Sequence, residues 1–184
     1  NEYPVAVILA RLDSKRFPSK VTKKVKGQEI ITRIIKRIKL CNFISEIYLT
    51  IPSSKTNDGL VHYAEQNQIN LFRGSPENVL KRVSDLCKKI KCKSIVRING
   101  DCPFIDPFLI DKLVKIHIED DNDYTSNILE DSFITGMHIE VINASSLFKA
   151  ANEAKLEIDK EHVTPYIYNR PNIFNIKSIK SRKD

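Results

Sequence analysis

An α/β fold with a mainly parallel sheet flanked by helices is predicted by three features of this chain. Four apolar, β-branched runs recur at Val5–Leu9, Ile44–Ile51, Ile69–Phe72 and Ser94–Ile98. Stretches of helical periodicity separate them, as in β-α-β units. Glycine follows the third and fourth runs directly, at Gly74 and Gly100, where a backbone must turn sharply at a strand's carboxyl end. Right-handed crossovers would set the strand carboxyl ends along one edge, the edge at which ligands bind in open sheets.

Each element has its own signal. Val5–Leu9 is a short, wholly apolar run and opens the sheet. Ile30, Ile31, Ile34, Ile35 and Ile38 recur at helical spacing, with Arg33, Lys36, Arg37 and Lys39 on the opposite face. A shorter helix is expected near Asp58–Asn67. A third, near Glu77–Lys89, puts Val79, Leu80, Val83, Leu86 and Cys87 on one face. Pro107 opens a helix reaching about Ile118, with Asp106 as its N-cap. After the acidic turn EDDND come Tyr124–Ile128 and a longer extended run, Phe133–Ile142. Helices near Ala144–Lys155 and Lys160–Asn169 follow, and Ile173–Ile179 is the last strand-like run.

Composition sets the bounds. The chain has 184 residues, 41% hydrophobic and 29% charged, an ordinary globular balance in one domain spanning 1–184. No apolar run approaches the ~20 residues of a membrane span, and no signal peptide is expected. Cys41, Cys87, Cys92 and Cys102 form no C-x-x-C pair, so zinc-ribbon and thioredoxin readings fail. Free thiols suit a reducing cytoplasm. The net charge of +7 is spread along the chain and fits several anionic partners. Nucleic acid is the weakest of these: aromatics are 8%, Trp is absent, and no RNA- or DNA-reading motif stands out.

Chemistry concentrates in two stretches. The first run empties into a loop carrying Arg11, Ser14, Lys15, Arg16 and Lys20, stiffened by Pro18. Fixed positive charges at the carboxyl end of a strand predict a strongly anionic ligand. The second stretch is RINGDCPFIDP, Arg97 to Pro107, where a strand ends in Asn99-Gly100-Asp101. Beside a polyphosphate site Asp101 is placed to hold Mg2+, an ion that binds one or two carboxylates plus substrate phosphates. The competing reading is that Asp101 caps a turn.

The spacing A-R-x-x-S-x-R-x-P-x-K at Ala10–Lys20, followed by G-D-x-P at Gly100–Pro103, resembles the CMP-sugar cytidylyltransferases, among them the CMP-Kdo and CMP-sialic acid synthetases. FRGSPENVLKR (Phe72–Arg82), RINGDCPFIDP and KEHVTPYIY (Lys160–Tyr168) are most similar to the branch called spore coat polysaccharide biosynthesis protein F. The similarity runs over about residues 3–179. It implies a Rossmann-like nucleotidyltransferase of the nucleotide-diphospho-sugar transferase type, with a nucleotide-binding half (1–106) and a sugar-binding and dimerisation half (107–184).

By that resemblance the substrates are CTP and a small acidic sugar, the cofactor is Mg2+, and the assembly is a homodimer. Arg11, Arg16 and Lys20 hold phosphates, and Asp101 binds the metal. Leu9, Ala10 and Ser14 line the nucleotide pocket. Arg73, Gly74, Ser75 and Arg82 shape the base pocket, and Asn99 meets base or ribose. Asn127, His138, Glu140, Glu161 and His162 fall to the sugar side, with Glu161 and His162 opening a helix. Two departures stand out. Relatives read G-L-D-V-E-V where this chain has Gly136-Met137-His138-Ile139-Glu140, and the aspartate has become His138. Relatives also carry a later R-L-T-V-D-T segment, whose aspartate completes the metal site and which these 184 residues lack.

Two other readings stay open at this level. One is a nucleotidyltransferase for another base. Such enzymes carry a glycine-rich first loop, and no glycine lies between Pro4 and Lys26. The other is a non-catalytic nucleotide- or sugar-binding module of a longer polypeptide.

Overall fold

The computed structural model describes residues 2–13 and 18–181. Its first strand, β1 (Val5–Leu9), is buried along nearly its whole length. Ala6 and Ile8 join one core cluster, while Val5 and Val7 join another on the opposite face. A strand covered on both faces reads as an unbroken apolar run.

A hairpin follows, β2 (Lys24–Val25) and β3 (Gln28–Glu29), turning through Lys26 at φ 50° and Gly27 at φ 78°. Two left-handed residues make the tight turn that matches strand twist. The sequence reading has no place for this hairpin: its strands are two residues each, too short for any period.

α1 (Ile30–Ile38) buries all five of its isoleucines. β4 (Ile47–Pro52) leads through a 3-10 turn, Lys55–Leu60, into α2 (Val61–Gln66). Next come β5 (Asn70–Gly74), α3 (Val79–Ile90) and β6 (Ser94–Asn99). The expected cap Asp106 is present, its Oδ1 accepting from the Phe108 N–H at 3.1 Å ahead of α4 (Pro107–Glu119), and Asn78 caps α3 in addition, its Oδ1 accepting from the Lys81 N–H at 2.8 Å. The second half contains β7 (Tyr124–Ser126), β8 (Glu140–Asn143), α5 (Ala144–Glu153), α6 (Glu157–His162), α7 (Pro165–Tyr168) and β9 (Ile176–Ser178).

The seven-stranded sheet has the order β5-β4-β1-β6-β8-β7-β9. Every pairing is parallel except the two that β8 makes, with β6 and with β7. Helices α1, α2 and α4 pack on one face and α3, α5 and α7 on the other. The expectation of one common edge for all carboxyl ends therefore needs a correction at β8. It runs the other way, so its amino end, Glu140, meets the carboxyl ends of β6 and β7.

Two further expectations are corrected. The extended run Phe133–Ile142 is a strand only from Glu140. Gly136 turns the chain at φ 96°, and the side chain of Asn127 replaces a neighbouring strand. Its Nδ2 donates to the Met137 carbonyl at 2.9 Å and its Oδ1 accepts from the Ile139 N–H at 2.8 Å. The single helix expected over Lys160–Asn169 is two helices. Pro165 has no N–H to continue a ladder. Val163 takes φ 73° with the Thr164 N–H bonded to the His162 carbonyl at 2.9 Å, a strained three-residue turn. Glu161 and His162 thus close α6 instead of opening a helix.

His117, on α4, lies buried against the sheet. Its Nδ1 is 3.1 Å from the Thr125 hydroxyl and its Nε2 3.0 Å from Asn143 Oδ1. Burial lowers its pKa below the ordinary 6.5, against the opposing pull of Asn143, Asp123 and Asp121. The unfolded chain therefore takes up the proton first, and stability should be lost progressively as pH falls below about 6.5. Urea midpoints measured at pH 7.5 and 5.5 should fall for this protein and fall less for His117→Gln. Equal slopes for the two would remove His117 as the cause.

Candidate active site

The site is assembled where β1 and β6 end side by side. Leu9 and Asn99 are register partners, and the Gly100 N–H donates to the Leu9 carbonyl at 2.7 Å. A Cβ on Gly100 would stand 2.9 Å from that carbonyl oxygen and 3.1 Å from the Ala10 Cβ. Glycine is needed here for backbone-to-backbone closeness, which brings the next residue, Asp101, over the basic loop. Lys20 Nζ lies 3.1 Å from Asp101 Oδ2, with both side chains nearly half exposed. A surface pair of this kind contributes little stability, so its partners can exchange for others at small cost.

Ser14, Lys15 and Arg16 lie outside the described residues. Arg11 is exposed, and its charge reaches Arg82, which is buried. Burial, then the proximity of Arg11, brings the Arg82 pKa down to about 10, with Asp13 opposing. Arg82 still carries full charge at neutral pH, so two cations act on the same region. An anion between them would be held by both.

Arg82 is fixed by its neighbours. Its Nη1 donates to the Ser75 carbonyl at 2.9 Å, while its Nε has no partner. A Cβ on Gly74 would fall 2.6 Å from the Arg82 Cγ, so this glycine makes room for the arginine. Ser75 Oγ accepts from the Asn78 N–H at 3.1 Å, and Arg73 pairs with Asp58 at 2.7 Å. Leu9, Ala10, Arg11, Lys20, Arg73, Gly74, Ser75, Arg82, Asn99 and Asp101 thus fall at the carboxyl ends of β1, β5 and β6 or in the segments that follow them, with β4 standing between β5 and β1.

The residues expected on the sugar side do not gather in the same way. Glu140 is buried and both its oxygens are occupied. Oε2 pairs with Arg97 Nη1, and Oε1 accepts from the Tyr124 hydroxyl at 2.7 Å and the Thr164 hydroxyl at 2.6 Å. Burial, then the adjacent Glu140 carboxylate, keeps the Tyr124 hydroxyl protonated, as a donor must be. Arg97 in turn donates to Asn99 Oδ1 at 3.2 Å. Asn127 is likewise buried and committed to backbone partners. In this structure the Asn127 and Glu140 side chains are thus engaged by protein partners. His138 is half-buried, and Glu161 and His162 are exposed.

Among the described residues no group of three or more His, Cys, Asp and Glu side chains gathers as a metal site, at Asp101 or elsewhere. Cys102, next in sequence, is buried, and burial together with Asp101 raises its pKa to about 11. It is a protonated wall residue at neutral pH and not a nucleophile.

The family model described as Cytidylyltransferase matches residues 5–183. The chain belongs to the cytidylyltransferase family. As a cytidylyltransferase it is 34% identical over 172 residues to an uncharacterized protein of Methanocaldococcus jannaschii, covering 94% of this chain and 70% of that one. It is 29% identical over 180 residues to the spore coat polysaccharide biosynthesis protein SpsF of Bacillus subtilis, covering 95% and 74%. The solved structure of a cytidylyltransferase from Leptospira borgpetersenii superposes with a TM-score of 0.93 at 26% identity, over 98% of this chain and 76% of the other. The Rossmann-like nucleotidyltransferase fold expected from the motifs is the observed one.

One residue of the site has no counterpart in the sequence reading. Asn57, fully buried in the 3-10 turn after β4, accepts the Leu12 N–H at 2.8 Å. Nothing local signals it, because its partner lies in a loop 45 positions earlier.

Proposed function

We propose that this chain makes a CMP-sugar: the hydroxyl of an acidic sugar attacks the α-phosphorus of CTP. The new oxygen–phosphorus bond forms as the bond to the β-phosphate oxygen breaks, the hydroxyl proton passes to water, and pyrophosphate leaves. The observation that carries this reading is the meeting of Lys20 and Asp101 at 3.1 Å over the joined ends of β1 and β6. A cation and a carboxylate held together at a strand edge suit a triphosphate with its counter-ion.

In this reading Arg11 and Lys20 bind phosphates, and Arg16 and Ser14 join them by the family resemblance alone. Arg82 and Arg73 close the far wall against the base, with Gly74 and Ser75 between them. Asn99 meets base or ribose, held in orientation by Arg97. Glu140 contributes by fixing Arg97, and His138, Glu161 and His162 remain the candidates on the sugar side. The donor set fits Mg2+, which accepts a single carboxylate when phosphates and waters complete its shell. When bound there it would neutralise phosphate charge as the transfer proceeds. On nucleotide binding Lys20 leaves Asp101 for a phosphate oxygen, which frees the carboxylate. The family likeness also supports a homodimer, and the free thiols suit a cytoplasmic setting. No described helix is long and apolar enough to cross a membrane.

Calorimetry with CTP, UTP, GTP, ATP and dTTP, each with Mg2+ and with EDTA, tests the nucleotide half. CTP should bind at least about tenfold tighter than the others, a difference of ~1.4 kcal/mol, and only with metal. Pyrophosphate release with a mixture of 3-deoxy-2-keto acid sugars tests the rest. CTP binding that ignores metal, or persistent silence in the release assay, would overturn the reading.

A further inference from the structure

We infer that Asn57 is a positioning residue for the phosphate-binding groups, an inference that rests on the nucleotide reading above. Asn57 is wholly buried and both polar atoms of its side chain have hydrogen-bond partners. Oδ1 accepts from the Leu12 N–H at 2.8 Å. Nδ2 donates to Ser54 Oγ at 2.8 Å and to Thr56 Oγ1 at 3.2 Å, and reaches Asp13 Oδ2 at 3.4 Å. The Leu12 carbonyl, for its part, accepts from the Ser19 N–H at 3.0 Å. One residue, Leu12, therefore ties down both legs of the loop, and Asn57 ties down Leu12.

Arg11 precedes this knot and Lys20 follows it directly. Their spacing across the phosphate site is set by a side chain that touches neither. The same 3-10 turn carries Asp58, which holds Arg73 at 2.7 Å, and Gly59, whose Cβ position lies 3.2 Å from Leu12 Cδ1. The Lys55–Leu60 turn is thus a brace between the basic loop and the far wall of the nucleotide site. Loss of a buried acceptor leaves the Leu12 N–H unpaired, and a displacement of about 1 Å in a positioning group can lower rate by ~100-fold.

The test compares CTP and CMP affinities by calorimetry in Mg2+ for three proteins: the unaltered chain, Asn57→Ala, and the double variant Asp13→Asn with Asn57→Asp. Asn57→Ala should weaken CTP by about tenfold or more and CMP by less than about threefold, because the brace acts on the β- and γ-phosphate contacts. The double variant exchanges the two ends of the Asn57–Asp13 contact and keeps an acceptor for Leu12, with the Ser54 and Thr56 hydroxyls free to turn and donate. It should restore CTP affinity to within about threefold. A merely structural role would weaken both ligands alike, and that result, or unchanged CTP affinity in Asn57→Ala, overturns the inference. If Asn57→Ala does not fold, the double variant decides alone, and loss of its CTP preference over CMP overturns the brace. An unaltered chain that binds tripolyphosphate yet shows no preference for CTP overturns the cytidine reading instead. The ratio of tripolyphosphate affinities between the unaltered chain and Asn57→Ala then judges the brace, with a ratio near one overturning it.

Discussion

Glu140→Ala should destabilise the protein by about 3–5 kcal/mol, the cost of stranding a buried charge. The Arg97 and Glu140 side chains are only 10% and 6% exposed, so water cannot take the place of the missing carboxylate. The variant also removes the acceptor shared by the Tyr124 and Thr164 hydroxyls. Arg97 Nε already lacks a partner, so the guanidinium has little left to hold it. Urea unfolding with the midpoint and slope both fitted reads the loss. Replacing both members, Arg97→Met with Glu140→Leu, should recover a good part of it, because a matched apolar pair leaves no orphan charge. A single variant within about 1 kcal/mol of the parent would show that the pair is not the anchor described.

Asp101→Asn carries the largest expected effect on turnover. Under the proposed mechanism it should lower CMP-sugar formation on the order of 100-fold or more, as loss of a charge-stabilising element does. Lys20→Met should behave in the opposite way and raise KM for CTP more than it lowers kcat. The split matters because Lys20 and Asp101 are paired at 3.1 Å in the ligand-free protein, and a purely structural pair would yield the same modest loss for either substitution. Retention of more than a tenth of turnover in Asp101→Asn would remove this carboxylate from the chemistry.

The legible parts of the fold are those where local pattern and burial agree. β1 and α1 have in structure the bounds their apolar patterns give, because each packs one continuous surface against the core. The placement of Gly74, Gly100 and Lys20 near one sheet edge was legible for the same reason, since each lies at or beyond the carboxyl end of a parallel strand. The surroundings of Glu140 and Asn127 were not. Glu140 gains its partners from β6, β7 and the turn at Val163, and antiparallel pairing of β8 with β6 across more than 40 residues leaves no periodic trace. Asn127 imitates a strand, which pattern reads as a strand. The Lys160–Asn169 stretch has helical composition throughout, and only Pro165 hints at the break.

The β7–β8 connection, residues 127–139, has a consequence of its own. It joins two strands that are already paired, and it leaves and re-enters the sheet at the edge where Asp101 stands, touching the 100–106 loop through the Phe104 N–H and the Gly136 carbonyl at 3.1 Å. No crossover helix depends on its length. Insertions or exchanges there leave the register of β1, β4, β5 and β6 as it is, since surface connections tolerate change that strands do not. The architecture therefore sets a platform fixed by the sheet next to a separately editable lobe, so that descendants of one ancestor can diverge in what they accept without relearning how to hold what they give.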